Sequence, residues 1–133
     1  ELRGLGWHNS PQLELLVLSA CETALGDPNA ELGFAGLAVQ TGVKSALASL
    51  WQVSDLGTLG LMSGFYDHLN NPEITTKAEA LRQAQLELLQ APSRFADGTL
   101  NGLALPPELA RYRNSELSHP YYWSAFTLVG SPW

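Results

Sequence analysis

The single cysteine of this chain stands where an apolar run gives way to polar residues. Residues 13–20 (LELLVLSA) are nearly all apolar, Cys21 follows them directly, and Glu22 and a turn come next. A thiol at the end of a strand, beside the backbone amides of a turn, can ionise readily and attack a carbonyl carbon. A free cysteine is also one of the most buried residue types and usually packs as a small hydrophobe. The pattern alone leaves both interpretations open.

A second candidate for a buried strand, residues 43–51 (VKSALASLW), is also followed by polar residues, among them Asp55. Ligands of open α/β sheets bind at the carboxyl ends of the strands. If the two runs are parallel neighbours, Cys21 and Asp55 share one edge of the sheet. An aspartate after a strand is more often a helix cap than a ligand. Trp51 could form a wall of the site, but a core or interface tryptophan is the commoner case.

Candidate strands alternate with candidate helices along the chain. This order predicts a parallel or mixed sheet that is covered by helices and positions these residues. Turn residues at 26–29 and the glycine at 42 bound the first helix. The predicted strands are residues 13–20, 43–51 and 121–130; the predicted helices are residues 33–41, a helix capped by Ser54 or Asp55 and ended by residues 70–72, and a helix from the capping box Thr76–Glu79 to about Gln90.

Helical spacing predicts one buried face for each helix. Residues 92–120 hold four prolines and few large apolar side chains, so a long loop with one short helix at 107–113 is expected. The predicted inner faces are Phe34, Leu37 and Ala38 in the first helix, Leu59, Met62, Phe65, Tyr66 and Leu69 in the second, and Leu81, Ala84 and Leu88 in the third.

Composition excludes several classes of function. The net charge is −6 and the seven basic residues are scattered, which argues against a nucleic-acid surface. No apolar run reaches the roughly 18 residues of a membrane span. One cysteine allows no internal disulfide, so a reducing, cytoplasmic setting is expected. No phosphate-binding loop or metal-ligand spacing is present, and we expect no cofactor. The chain lacks an initiator methionine, and three strands make a thin sheet, so we expect part of a larger unit.

Several segments, in order, resemble the CHAT domain, a caspase-like peptidase domain often joined to tetratricopeptide repeats and related to separase, caspases and gingipains. They are LLVLSACETALG, LGFAGLAVQTGVKSALASLWQVSD, FYDHL, KAEALRQAQLELL and HPYYWSAFTLVG. The resemblance covers most of the chain and is weakest at residues 92–118. A lone SAC motif would be weak evidence for the family, but the full set of segments in this order is specific.

The resemblance implies a three-layer α/β/α fold of the caspase–haemoglobinase type, with an antiparallel last strand. It places Cys21 at the nucleophile position of a cysteine peptidase. It also places Asp55 where separase-like relatives hold a basic residue before the cut, as a carboxylate can do. Glu22 and Trp51 are further candidates for the substrate site.

The family also requires a histidine base in a His-Gly motif, which in caspase-type motifs lies about 50 residues upstream of the cysteine. His8 should lie at the far end of a strand spanning roughly 26 Å. His68 is expected to be a solvated residue at a helix end, and His119 should lie a strand or more from Cys21. We therefore expect residues 1–133 to form the C-terminal half of a CHAT domain that is inactive alone.

Two other interpretations stay open. One is a non-catalytic CHAT-like scaffold, and the other is an unrelated flavodoxin-like domain. The expected partners are a protein or peptide substrate and tetratricopeptide repeats or an N-terminal half-domain in the parent chain. A second copy pairing through the exposed strand at 13–20 is a further possibility, because free sheet edges tend to pair.

Overall fold

The structure, a computed structural model, describes residues 13–18, 28–90, 99–100, 103–110 and 117–133. The described part divides between two compact units, Glu1–Gln52 with Ala125–Trp133, and Val53–Ser124. The elements are β1 (Leu15–Leu18), α1 (Pro28–Gln40), β2 (Ser45–Ser49), α2 (Asp55–Leu69), α3 (Lys77–Gln90), β3 (Thr99–Leu100), β4 (Leu103–Ala104), α4 (Pro107–Ala110), α5 (Pro120–Trp123) and β5 (Phe126–Gly130).

The first unit is built on a mixed three-stranded sheet in the order β1-β2-β5. β1 and β2 are parallel, with Leu15 opposite Ser45, whereas β5 is antiparallel to β2, with Phe126 opposite Ser49. All five residues of β2 are buried. The predicted mixed α/β class, the parallel pair and the antiparallel last strand are therefore confirmed.

The helix α1 packs against this sheet through small side chains. Ala35 and Ala38 are fully buried, and Ala35 forms a cluster with Ala46 and Ala48 of β2. Phe34, predicted to face inward, is 50% exposed, so that part of the prediction is wrong. Alanines on the facing surfaces let helix and strand approach closely, and a phenylalanine would hold them apart.

The two ends of α1 follow local rules. The helix begins at Pro28, so the turn predicted at 26–29 is wrong for its last two residues; proline suits the first helical position because its missing N–H needs no partner there. At the other end Gly42 has φ +106°, and the N–H groups of Gly42 and Val43 donate to the carbonyls of Val39 and Ala38. This Schellman motif confirms the predicted glycine stop.

In the second unit, α2 and α3 pack against each other. The inner face of α3 is as predicted, with Leu81, Ala84 and Leu88 buried. The stripe predicted for α2 is wrong except at Phe65: Leu59 is 37% and Tyr66 48% exposed, and Met62 and Leu69 are only partly buried. The buried positions of α2 are Leu56, Gly57, Gly60, Leu61, Gly64 and Phe65.

The segment 92–120 was predicted to be a loop with one helix at 107–113. Its described part holds the antiparallel hairpin of β3 and β4, which was missed, and α4, which ends at Ala110. Residues 111–116 lie outside the described part. The strand predicted at 121–130 is wrong in its first half, because Pro120 and the His119 cap begin the short helix α5 before β5.

Candidate functional site

The parallel pairing of β1 and β2 directs the carboxyl ends of both strands to one edge of the sheet. Cys21 follows β1 along the chain and Trp51 follows β2. The antiparallel β5 starts at the same edge, and Leu50 N–H donates to the carbonyl of Ala125 at 2.7 Å just beyond the paired strands. This is the edge where open α/β sheets bind ligands.

Not every predicted site residue lies within the described part of the chain. Cys21 and Glu22 fall outside it, as does His8, so their roles stay predictions. Trp51 is half-buried in the turn after β2. Its proposed place beside the substrate also stays a prediction.

Asp55 is the first residue of α2, and Ser54 caps the helix. Ser54 Oγ accepts a hydrogen bond from Gly57 N–H at 3.1 Å, and the Ser54 backbone is extended, as a cap requires. Of the two caps considered, Ser54 is therefore the one used. The Asp55 side chain is exposed in the first helical turn, where the helix dipole favours a carboxylate.

The first turn of α2 rests on an aromatic ring from the HPYYW segment. A Cβ on Gly57 would lie 3.0 Å from Tyr122 Cδ1 and 3.3 Å from Tyr122 Cβ, so the ring lies directly against the glycine. The strand predicted at 121–130 did not indicate this contact. The only signal in the sequence is a glycine at the third position of a capped helix, and it does not identify the side chain that packs against it.

The short helix α5 that carries Tyr122 is held at several points. His119 Nδ1 accepts from Tyr121 N–H at 3.2 Å, and Trp123 Nε1 donates to the carbonyl of Ser118 at 2.8 Å. Gln85 Nε2 of α3 donates to the carbonyl of Trp123 at 3.1 Å. α5 is thus fixed to α3 on one side and contacts α2 on the other.

The two described histidines have structural partners. His68 Nε2 lies 3.1 Å from Glu87 Oε1, across the α2–α3 contact. The residue is at the end of α2 as predicted, but the prediction that it is solvated is wrong, because its Nε2 is buried against α3. His119 is exposed and caps α5 through Nδ1. Each has a local role that accounts for its position without a proton-transfer step.

Among the described groups, one carboxyl has a strongly shifted pKa. Arg82 and Gln83 donate hydrogen bonds to Glu79, and they lower the pKa of its carboxyl to about 2. The group is partly exposed on α3, where Thr76 Oγ1 also accepts from Glu79 N–H at 3.1 Å. This confirms the N-terminal cap predicted for α3 and assigns Glu79 to the helix rather than to a site.

The described residues contain no group of three potential metal ligands. Within the same residues, none of the helices combines the length and apolar character that crossing a membrane requires.

The mixed sheet, its antiparallel last strand and the cysteine following β1 define a protein of the α/β caspase-like class. The family model of the CHAT domain matches residues 1–131, essentially the whole chain. The chain therefore belongs to the CHAT domain family, a family of caspase-like cysteine peptidases. The comparison with curated proteins gave no match, and the comparison with solved structures gave none.

Proposed function

We propose that this chain supplies the nucleophile of a cysteine endopeptidase, with Cys21 attacking the peptide bond. The observation that carries the proposal is the CHAT match across residues 1–131, within which SACETALG stands directly after β1. The parallel β1–β2 pair supports it, because the carboxyl edge of such a pair is the usual place for reacting groups.

Peptide-bond cleavage by a cysteine requires a thiolate nucleophile and a group that transfers a proton. The Cys21 sulfur attacks the carbonyl carbon, the C–N bond breaks, and a histidine passes the thiol proton to the leaving amine. Water then cleaves the thioester, which releases the acid and restores the thiol. Backbone N–H donors stabilise the oxyanion in both steps.

The histidine is proposed to come from polypeptide outside residues 1–133. The family base belongs to a His-Gly motif, and none of the three histidines here precedes a glycine: the next residues are Asn9, Leu69 and Pro120. On this proposal the chain is the C-terminal half of the domain, with residues 92–120 as an insertion, and it does not cleave peptides alone.

Asp55 is proposed to select a basic side chain before the cut. It is an exposed carboxylate in the first turn of a capped helix. The resemblance of SLWQVSD to separase-like relatives implies that it occupies their acidic position. A carboxylate binds a guanidinium through two parallel hydrogen bonds. Trp51 and Glu22 are proposed to line the same substrate site.

The test is cleavage by the full-length protein that contains these residues. The unaltered protein should cut peptides after arginine or lysine, and Cys21→Ala should abolish cleavage while the melting temperature stays unchanged. If Cys21→Ala cleaves as fast as the unaltered protein, the nucleophile is wrong. Residues 1–133 alone form a second arm, expected to be inactive.

The second candidate is a non-catalytic CHAT-like scaffold. The observation that favours it is the absence of a His-Gly pair from this sequence. A full-length protein that neither cleaves peptides nor reacts with thiol-directed peptide probes faster than free cysteine would support the scaffold. A reaction much faster than free cysteine would indicate an activated thiolate.

Partners are proposed to reach the sheet through β1. Within the described residues β1 pairs with β2 only, and its side chains are half-buried, so its other edge can accept a strand. The strand is proposed to come from the rest of the domain or from a second copy; tetratricopeptide repeats of the parent chain are the other proposed partner. Slow amide exchange at Leu15–Leu18 in the full-length protein, and fast exchange in residues 1–133 alone, would support an added strand.

A further inference from the structure

The first turn of α2 is fixed by two different contacts. The Ser54 hydroxyl accepts from Gly57 N–H, and the ring of Tyr122 lies against the Gly57 α-carbon. A Cβ at Gly57 would lie 3.1 Å from Ser54 Oγ and 3.0 Å from Tyr122 Cδ1. The Ser54 cap and the Tyr122 ring therefore both contact Gly57. Of the two residues between Ser54 and Gly57, Asp55 is the exposed one.

The ring itself is held in place by the anchoring of α5. Gln85 ties the backbone of α5 to α3, Trp123 donates to Ser118, and Ser124 Oγ donates to the carbonyl of Pro120 at 2.7 Å. Tyr121 meets Tyr122 edge to face, with ring centroids 5.3 Å apart. Tyr122 therefore has little freedom to move away from Gly57.

We infer that Tyr122 is a positioning residue for Asp55, so that α5 sets the recognition of the basic side chain without touching the substrate. The inference rests on the proposed role of Asp55. A bidentate carboxylate–guanidinium pair needs both groups at one distance and one orientation. The Asp55 carboxylate is carried by the backbone of a single helical turn, so a shift of that turn moves it directly.

The ring, and not the phenol hydroxyl, supplies this support. The contacts with Gly57 run through Cδ1 and Cβ of Tyr122. Tyr122→Phe keeps both atoms and should behave as the unaltered protein. Tyr122→Ala removes the ring, whereas Gly57→Ala places a methyl group against the intact ring. Both substitutions should displace the first turn of α2.

The experiment measures selectivity in the full-length protein. Two peptides differ only in arginine or the neutral citrulline before the cut, and the readout is the ratio of their kcat/KM values. Asp55→Asn should lower the ratio about tenfold or more, since hydrogen bonds to charged groups contribute about 1.5–3 kcal/mol. Tyr122→Ala should lower it by about tenfold, mainly through KM for the arginine peptide.

A double-mutant cycle separates positioning from general damage. In the Asp55→Asn background, Tyr122→Ala should change the ratio no further, because no carboxylate remains to be positioned. Tyr66→Ala is the matched control: it removes a 48% exposed tyrosine from the other end of α2 and should leave the ratio unchanged.

The outcomes decide between the claims. A Tyr122→Ala protein with an unchanged ratio, or with the same loss in both backgrounds, overturns the positioning role. If Asp55→Asn leaves the ratio unchanged, the proposed specificity itself fails, and the positioning role fails with it. If Tyr122→Ala does not fold, Gly57→Ala takes its place in the cycle, with the same two results deciding.

Discussion

His68 Nε2 lies 3.1 Å from Glu87 Oε1, and this contact joins the last turn of α2 to the last turn of α3. The glycine one turn earlier makes it possible: a Cβ on Gly64 would lie 3.0 Å from Glu87 Oε2. The imidazole Nε2 is buried, and the Glu87 carboxylate lies at ion-pair distance from it without the alignment of a hydrogen bond. The pair therefore belongs to the α2–α3 packing.

This contact predicts that His68 is dispensable for catalysis. In the full-length protein, His68→Gln should change kcat by less than about tenfold, whereas loss of a general base costs about 10²–10⁴-fold. Glutamine keeps a polar group facing Glu87, so folding should be retained. Steady-state cleavage of an arginine peptide measures the effect, and a loss of 10²-fold or more at an unchanged melting temperature would make His68 the base.

His119 gives a second prediction, in which two substitutions separate a cap from a base. Its Nδ1 accepts from Tyr121 N–H and begins α5. Asparagine is a good helix cap but cannot act as a general base, so His119→Asn should cleave normally. His119→Ala should lose about 1 kcal/mol of unfolding free energy. Urea unfolding and cleavage assays check the pair; equal, severe losses of cleavage in both variants would contradict the cap assignment.

Helix α3 shows what the sequence pattern predicts well. Its inner residues Leu81, Ala84 and Leu88 are apolar while most others are polar, so its buried face is visible in the periodicity. The strands were found for a similar reason: the fully buried strand β2 contains only serine, alanine and leucine and no charged residue. Both signals are local and depend on one surface being buried.

Helix α2 shows why part of the fold could not be predicted. Its large side chains Leu59 and Tyr66 are partly exposed, while Gly57 and Gly64 face the neighbouring helices. A hydrophobicity pattern ranks glycine below leucine and therefore selects the wrong face. The missing side chains allow Gly64 to approach Ala84 closely and Gly57 to approach Tyr122 closely. Both contacts are with residues distant in the sequence, so a local pattern does not reveal them.

The candidate site, like the helices, could be predicted only in part. Asp55 could be placed after a strand and at a helix start because the polar residues that end β2 and cap α2 are local signals. The support from Tyr122 comes from a distant segment that was predicted to be a strand and forms the helix α5. A short helix that begins at a proline and ends within one turn has too few residues for a periodic pattern.

Gly130 gives a third prediction, about the stability of the sheet. Its φ is +102°, and a Cβ there would collide with the carbonyl oxygen of Lys44, which accepts from Ser131 N–H at 2.8 Å. Gly130→Ala should therefore lower the unfolding free energy by about 1–3 kcal/mol. The matched control is Gly36→Ala in α1, where a Cβ meets nothing within 4 Å. It should raise stability by about 0.5–1 kcal/mol. Urea denaturation of both variants is the measurement, and a Gly130→Ala protein as stable as the unaltered one would refute the prediction.

The lowered pKa of the Glu79 carboxyl gives a fourth prediction: acid should decrease the unfolding free energy of the second unit. Hydrogen bonds from Arg82 and then Gln83 lower the pKa of its carboxyl from 4.5 to about 2 in the folded protein. Because the folded pKa lies below the unfolded one, the unfolded chain binds the proton first as pH falls. The stabilisation is therefore complete above pH 4.5 and is lost progressively between pH 4.5 and about 2. Since the Glu79 and Arg82 side chains both reach solvent, salt should reduce the effect.

The corresponding experiment compares unfolding free energies of the unaltered protein, Glu79→Gln and Arg82→Gln across that pH window. Glu79→Gln removes the titrating group, so its curve should fall less steeply than that of the unaltered protein as the pH drops. Arg82→Gln removes the larger cause of the shift and should flatten the curve in the same direction. In the Arg82→Gln background, Glu79→Gln should then add little, because the carboxyl has lost its main partner. Parallel curves for all the proteins between pH 4.5 and 2 would show that the Glu79–Arg82 contact does not couple to folding.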